Sequence, residues 1–272
     1  MLADLHDPVL APFVPLAVIM PMIPATALAA VAYPPGRVLV MVFLAMTVAL
    51  AGWLTGQWIA DGLRQDAYHP GYYLPAVAGG LVGAHAAAAI HLHGVAVAAF
   101  GIGIISWLLL GSTVLSRLFF RPRLPPPLIP TLAIEMTPPT LAGIAYFALT
   151  RHTIDSIACA LGGYAVLMAV AQLRLIPRYR RLRFSPGFWA FTFPYAAAAT
   201  DALAWIGRTR PAGGTGYAIA VITLITVFIA AIGVATLIAL AAGRFPPAPP
   251  PARGQQAGHP QPGHPPGGNH ER

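Results

Sequence analysis

The chain has 272 residues, 57% of them hydrophobic and only 9% charged, where an average soluble domain is about 25% charged. Its apolar residues are too many and too continuous for the core of a water-soluble protein, which excludes a soluble enzyme and points to a polytopic membrane protein. The net charge is +8 and every basic residue is arginine; these arginines crowd into loops between apolar stretches, so they speak for orientation in a bilayer and not for nucleic acid.

Eight apolar spans follow in order, near residues 9–32, 38–60, 71–91, 94–116, 128–149, 154–176, 186–206 and 215–242. Each is about 20 residues or longer, the length an apolar helix needs to cross a bilayer. The opening carries no charged n-region followed by a short apolar core and a cleavage site, so no secretory signal peptide is read. Short connections, "AYPPGR", "HLHGV" and "TRHTID", join spans one to two, three to four and five to six. They force antiparallel neighbours. The expected fold is all-α, four helical hairpins forming a transmembrane domain over residues 1–243. Residues 244–272 are Pro-, Gly- and His-rich and cannot bury a core, so they read as a disordered cytoplasmic tail. Its His259, His264 and His270 read as part of that solvated segment rather than as a metal site.

With the N-terminus inside, the inner loops and tail hold Arg64, Arg117, Arg121, Arg123, Arg174, Arg178, Arg180, Arg181, Arg183, Arg244, Arg253 and Arg272. The outer loops hold Arg37, Arg151, Arg208 and Arg210. That is 12 against 4, which predicts both termini in the cytoplasm of a cell with the protein in its plasma membrane.

Prolines alternate with the spans. Span one carries Pro12, Pro15, Pro21 and Pro24, span three Pro75, span five Pro130, Pro138 and Pro139, and span seven Pro194; the interiors of the even spans carry none. A proline inside a helix deletes a backbone bond and clashes with the preceding turn, and the freed carbonyls need a protein or water partner in hydrocarbon. Odd spans are therefore expected inside, sheltered by straight even spans, each hairpin being one repeat of the pattern. Small residues also gather in the odd spans, including Gly79 and Gly80 in "PAVAGGLVGAHAAAA" and the run "AAAAT" in span seven. They suit close helix approach and equally a ring that leaves an open lumen.

Few polar groups lie at membrane depth. Glu135, three residues before Pro138, reads as a pore-lining or structural carboxylate or as a proton-coupling group, because an ionisable residue inside a membrane normally faces protein or water. Asp201 reads as a solvated interfacial charge. His85, His91 and His93 read as residues of an interfacial turn, since no cysteine or carboxylate joins them, and no metal site or cofactor is expected. The single cysteine, Cys159, reads as a small buried hydrophobe in a span. No Walker loop, HExxH, GxSxG or nucleotide fingerprint is present in the sequence, which argues against an enzyme. In "FWAFTFPYAAAATD", Pro194 frees the carbonyl of Ala190 and bends the chain around Phe193. Residues three, four and seven ahead share a helical face, so Phe193 stands over Ala196, Ala197 and Thr200, a large ring above small side chains. Phe191 falls beside Tyr195 and Ala198 and suits packing against a neighbouring helix.

Three stretches, "HPGYYLPAVAGGLVGA" (69–84), "LIPTLAIEMTPPTLAG" (128–143) and "FSPGFWAFTFPYAAAAT" (184–200), resemble the tellurite-resistance/dicarboxylate transporter family, which includes the slow anion channels of plants, over about residues 7–242. The resemblance implies ten helices in five hairpins around a central pore, inner helices kinked by prolines such as Pro21, Pro75, Pro138, Pro139 and Pro194, and a homotrimer with one pore per protomer. It implies conduction or export of small anions (C4-dicarboxylate, sulfite, tellurite-type oxyanion or halide) through a pore plugged by a phenylalanine of the penultimate helix: Phe193, or Phe191 if the alignment slips by two. The family's first hairpin has no counterpart here, so the resemblance also implies either a start placed too far downstream or a shortened ring. The rival expectations are proton-coupled exchange through Glu135 and a membrane protein that transports nothing.

Overall fold

The computed structural model describes residues 9–62, 65–150 and 154–243. Eight α-helices occur among them: α1 (Leu16–Val31), α2 (Tyr33–Asp61), α3 (Gly79–Ala89), α4 (His93–Phe120), α5 (Thr137–Leu149), α6 (Ser156–Tyr179), α7 (Thr192–Thr209) and α8 (Gly214–Ala241). Six helical stretches are long and apolar enough to cross a membrane, namely those containing α1, α2, α4, α5, α6 and α8. The stretches Pro70–Ala89 and Pro186–Thr209 supply the other two expected spans. Both fall short of the hydropathy of the other six. Arg64, Arg151 and the tail from residue 244 lie outside the described residues.

Each odd span is a composite, and several of the prolines sit at the joints. A 3₁₀ turn, Ala11–Phe13, precedes α1; a 3₁₀ turn and a π turn, Pro70–Tyr73 and Leu74–Ala78, precede α3; 3₁₀ segments Pro126–Met136 and Pro186–Phe191 precede α5 and α7. Pro75 opens the π turn, Pro138 and Pro139 open α5, and Pro194 lies in the first turn of α7. The first turn of a helix has no intrahelical acceptor for its N–H groups, so a proline there forfeits nothing. Pro21 and Pro24 of α1 lie in a helix interior. Among the even helices Pro177 is an exception to the alternation: α6 runs on to Tyr179 and takes it into its last turn.

The inner helices follow one another side by side, α1 on α3, α3 on α5 and α5 on α7, and each is backed by its own even partner, α2, α4, α6 and α8. Burial follows the same division. In the most apolar window of span five 67% of residues are buried, against 17% for α6 and 6% for α8. The four inner helices thus form an arc, and its two ends, α1 and α7, make no substantial contact. The glycines of α3 are contact points. A Cβ on Gly80 would stand 2.7 Å from the Gly103 backbone nitrogen of α4, and one on Gly79 would stand 2.6 Å from Thr47 Cγ2 of α2. Neither helix could come so close with any larger residue there.

The freed backbone of span five is satisfied partly from α6 and partly by a threonine of its own. Gln172 of α6, 5% exposed, donates from Nε2 to the Leu132 carbonyl at 2.9 Å. Its Oε1 accepts from Tyr179 at 2.8 Å and from Tyr195 of α7 at 3.2 Å. Thr140 donates to the Met136 carbonyl at 2.9 Å. These bonds let a 3₁₀ segment of eleven residues, unusually long for that geometry, stand at membrane depth.

Candidate permeation path

α3 has neighbours on most sides, α1 and α2 on one flank and α4 and α5 on the other. Its residues from Gly79 to Ala87 are buried except His85, which is exposed. That side chain lies within the helix and not, as the sequence reading had it, in the turn with His91 and His93. His91 has φ of +62° in the turn before α4 and lies against Tyr33, ring centroids 6.3 Å apart.

On α7, Phe193 is half-buried and packs against the inner cluster that holds Leu141, Ala142 and Ala197. α7 is regular from Thr192, so Ala196, Ala197 and Thr200 share its face. Ala197 is buried, Ala196 half-buried and Thr200 exposed. The stripe is most enclosed at Ala197 and opens at Thr200. Phe191 is placed otherwise. It is 4% exposed and sits in an aromatic cluster, edge-on to Tyr179 at 4.9 Å and to Phe188 at 5.6 Å, stacked on Tyr195 at 6.0 Å and edge-on to Phe228 of α8 at 6.5 Å.

Glu135 accepts a hydrogen bond at Oε2 from the Tyr73 hydroxyl at 3.2 Å. It borders a slot between α4 and α6, together with Tyr73, Trp107, Gly111 and Tyr164. Asp201 is a correction to the sequence reading. It is not a solvated interfacial charge but is 5% exposed, set into the α5–α7 contact where a Cβ on Gly143 would stand 2.6 Å from its Oδ1. Two turns further, Arg208 lies over the Phe147 ring with Cζ 3.9 Å from the centroid and donates to the Ala204 carbonyl at 2.6 Å. Phe147 in turn meets Trp205 edge-on at 5.2 Å. The sequence signals for this arrangement are Gly143 and the seven-residue spacing of Asp201 and Arg208, two helical turns on one face. Gln172, also missed, is signalled only by being a lone amide in an apolar span.

Buried, broken inner helices backed by long, unbroken apolar ones define a multi-pass membrane protein. A family model described as a voltage-dependent anion channel matches residues 1–242, and the chain belongs to that family, which is one of channels and transporters and not of enzymes. It is 31% identical over 148 residues to a tellurite resistance protein TehA homolog of Haemophilus influenzae, a match that covers 54% of this chain and 45% of that one. It is 29% identical over 147 residues to the S-type anion channel SLAH3 of Arabidopsis thaliana, covering 53% of this chain and 23% of the other. In both pairs the matched stretch spans less than half of the relative's length.

Proposed function

We propose that this protein passes small anions across the plasma membrane through the concave path lined by α1, α3, α5 and α7, with Phe193 as the steric gate. The observation that carries the reading is the placement of Phe193. It is the large, half-buried ring on an otherwise small-residue stripe of an inner helix, in a chain whose family is described as an anion channel. The names of its two relatives, a tellurite resistance protein and an S-type anion channel, support anions as the cargo, with C4-dicarboxylate, sulfite, tellurite-type oxyanions and halides as the candidates. An apolar path with excess arginine at its ends favours passage selected by width and positive potential over tight binding. Glu135 borders the lateral slot beside Tyr73, and the reading assigns it no part in conduction. The protein works with both termini in the cytoplasm and as a homotrimer, an assembly supported by the family resemblance.

The test is flux from liposomes holding the full chain, measured for chloride, sulfite, malate and tellurite with and without a proton gradient. Anion flux that needs no proton gradient, and keeps that independence in Glu135→Gln, is the expected result. Flux that depends strictly on protons and is lost in Glu135→Gln makes the protein a coupled exchanger. No flux of any of the four anions removes the proposal.

A further inference from the structure

A space of about 430 Å³ lies between α4 and α6, within the range of ~300–1,000 Å³ that ligand pockets occupy. These two helices back adjacent inner helices and do not pack closely on each other. Trp107 and Gly111 line the space from α4, and Ala160 and Tyr164 from α6. The rings of Trp107 and Tyr164 meet edge-on at 5.5 Å. Its outer rim is apolar and open, since Leu108 is 68% and Ile157 54% exposed. In a bilayer that rim faces hydrocarbon, so the slot is filled from the membrane and not from water.

The floor of the slot is polar. Tyr73 and Glu135 reach it from the inner layer. Glu135 Oε2 holds the Tyr73 hydroxyl, while Glu135 Oε1 is buried and has no hydrogen-bond partner. No arginine lines the space. A buried acceptor left unanswered in a low-dielectric setting is costly, and a carboxylate at membrane depth calls for a donor. Apart from Ser112 and Ser156 the walls are apolar or aromatic, and Glu135 at their base is the one carboxylate that lines the space; together they specify a ligand with an alkyl body and one donating head.

We infer that this slot binds an amphiphile drawn from the bilayer, whose O–H or N–H head donates to the Glu135 carboxylate and whose alkyl body lies along Trp107 and Tyr164. The site stands apart from Phe193 and does not depend on the pore conducting. A neutral alcohol and a protonated amine both supply the donor. They differ in one respect: a glutamine in place of Glu135 can still accept from an alcohol but no longer pairs with an ammonium.

The experiment uses the full chain in nanodiscs of saturated phosphatidylcholine, with a bromoalkyl alcohol and the matching bromoalkylamine as probes. Bromine quenches nearby indole fluorescence, and the Trp107 signal is taken as the difference from Trp107→Phe. Saturable quenching of that signal is expected, weakened about tenfold or more in Glu135→Leu, an affinity change well above measurement error. Glu135→Gln should keep the alcohol and lose the amine if the alcohol head is the natural type; if pairing with an ammonium is required, the amine alone saturates the native chain and Glu135→Gln loses it. Ala160→Phe fills the slot from an exposed position and leaves Glu135 and Tyr73 untouched, so it should abolish saturation in a chain that still elutes as one species. Quenching that rises linearly and equally in the native chain, Glu135→Leu and Ala160→Phe means simple partition into lipid and overturns the proposal. Saturation that survives Glu135→Leu or Ala160→Phe puts the ligand elsewhere and overturns it equally.

Discussion

Two phenylalanines two residues apart have opposite settings, and a single truncation at each separates their roles. Phe191 is enclosed by Tyr179, Phe188, Tyr195 and Phe228. Cutting it to alanine leaves a cavity at the junction of three helices and should cost ~3–5 kcal/mol, read as a clear fall in thermal stability in detergent with little change in flux per folded protein. Phe193 is half-buried and borders open space. Phe193→Ala should raise chloride flux several-fold and leave stability nearly intact. Unchanged flux with a marked loss of stability in Phe193→Ala would make that ring packing. Gln172 is the other residue on which much rests. Replacing it by leucine strands the Leu132 carbonyl and the hydroxyls of Tyr179 and Tyr195, each an unmet buried group worth ~1–3 kcal/mol. Gln172→Leu should therefore be more damaging than its gain in hydrophobicity suggests, with a lower melting temperature as the readout; a melting temperature equal to or above the native one would refute this account of span five.

At the scale of elements, the inner spans use proline at joints where a 3₁₀ or π turn hands over to α-helix, and the even helices run straight behind them. The start of α6 shows how one such helix is fixed. Asp155 is its N-cap, accepting at Oδ1 from the Ile157 and Ala158 backbone N–H groups at 3.0 and 2.9 Å and at Oδ2 from the Tyr146 hydroxyl at 2.6 Å. The Ala158 N–H first, and the Tyr146 hydroxyl after it, hold this carboxyl below the usual aspartate range. A depressed folded value stabilises the fold fully above the unfolded aspartate value of about 3.9, and the contribution is lost as pH falls through the lower folded value. The native protein should thus lose stability more steeply than Asp155→Asn on acidification below about pH 4, measured as melting temperature against pH. Parallel curves for the two proteins would show that the cap carries no linked proton.

The whole molecule is an arc of four inner helices within a layer of outer ones, open between α1 and α7. Its orientation rests on the asymmetry of 12 arginines against 4. Part of that set also has structural work: Arg117 donates to the Asp66 carbonyl at 3.3 Å, Arg121 bonds the Gln65 side chain, and together they tie the turn after α2 to the end of α4. A reporter fused after Arg272 should be active only in the cytoplasm, and activity confined to the outside would reverse the topology. The assembly is expected to hold three copies when its mass is measured in native membrane particles. A monomer there would leave the arc to be closed, if at all, within one chain.

The sequence by itself determined the class of fold, the number and nearly the limits of the spans, and the division into inner and outer helices. These follow from hydrophobic length and from where proline is tolerated, both local properties of the chain. It also distinguished the faces of Phe191 and Phe193, because helical periodicity fixes which residues share a side. Tertiary structure alone decided what each polar group meets. Asp201 looked solvated by its position near a span end, yet Gly143 opens a place for it between α5 and α7. Glu135 was legible as a membrane carboxylate, but that it opens on the slot between α4 and α6 depends on the gap those helices leave. Gly79 and Gly80 were compatible with a lumen or a helix contact, and the Thr47 side chain against one and the Gly103 backbone against the other chose the contact. In each case the deciding partner lies on another helix, and the periodicity that reveals a face does not reveal what stands across from it.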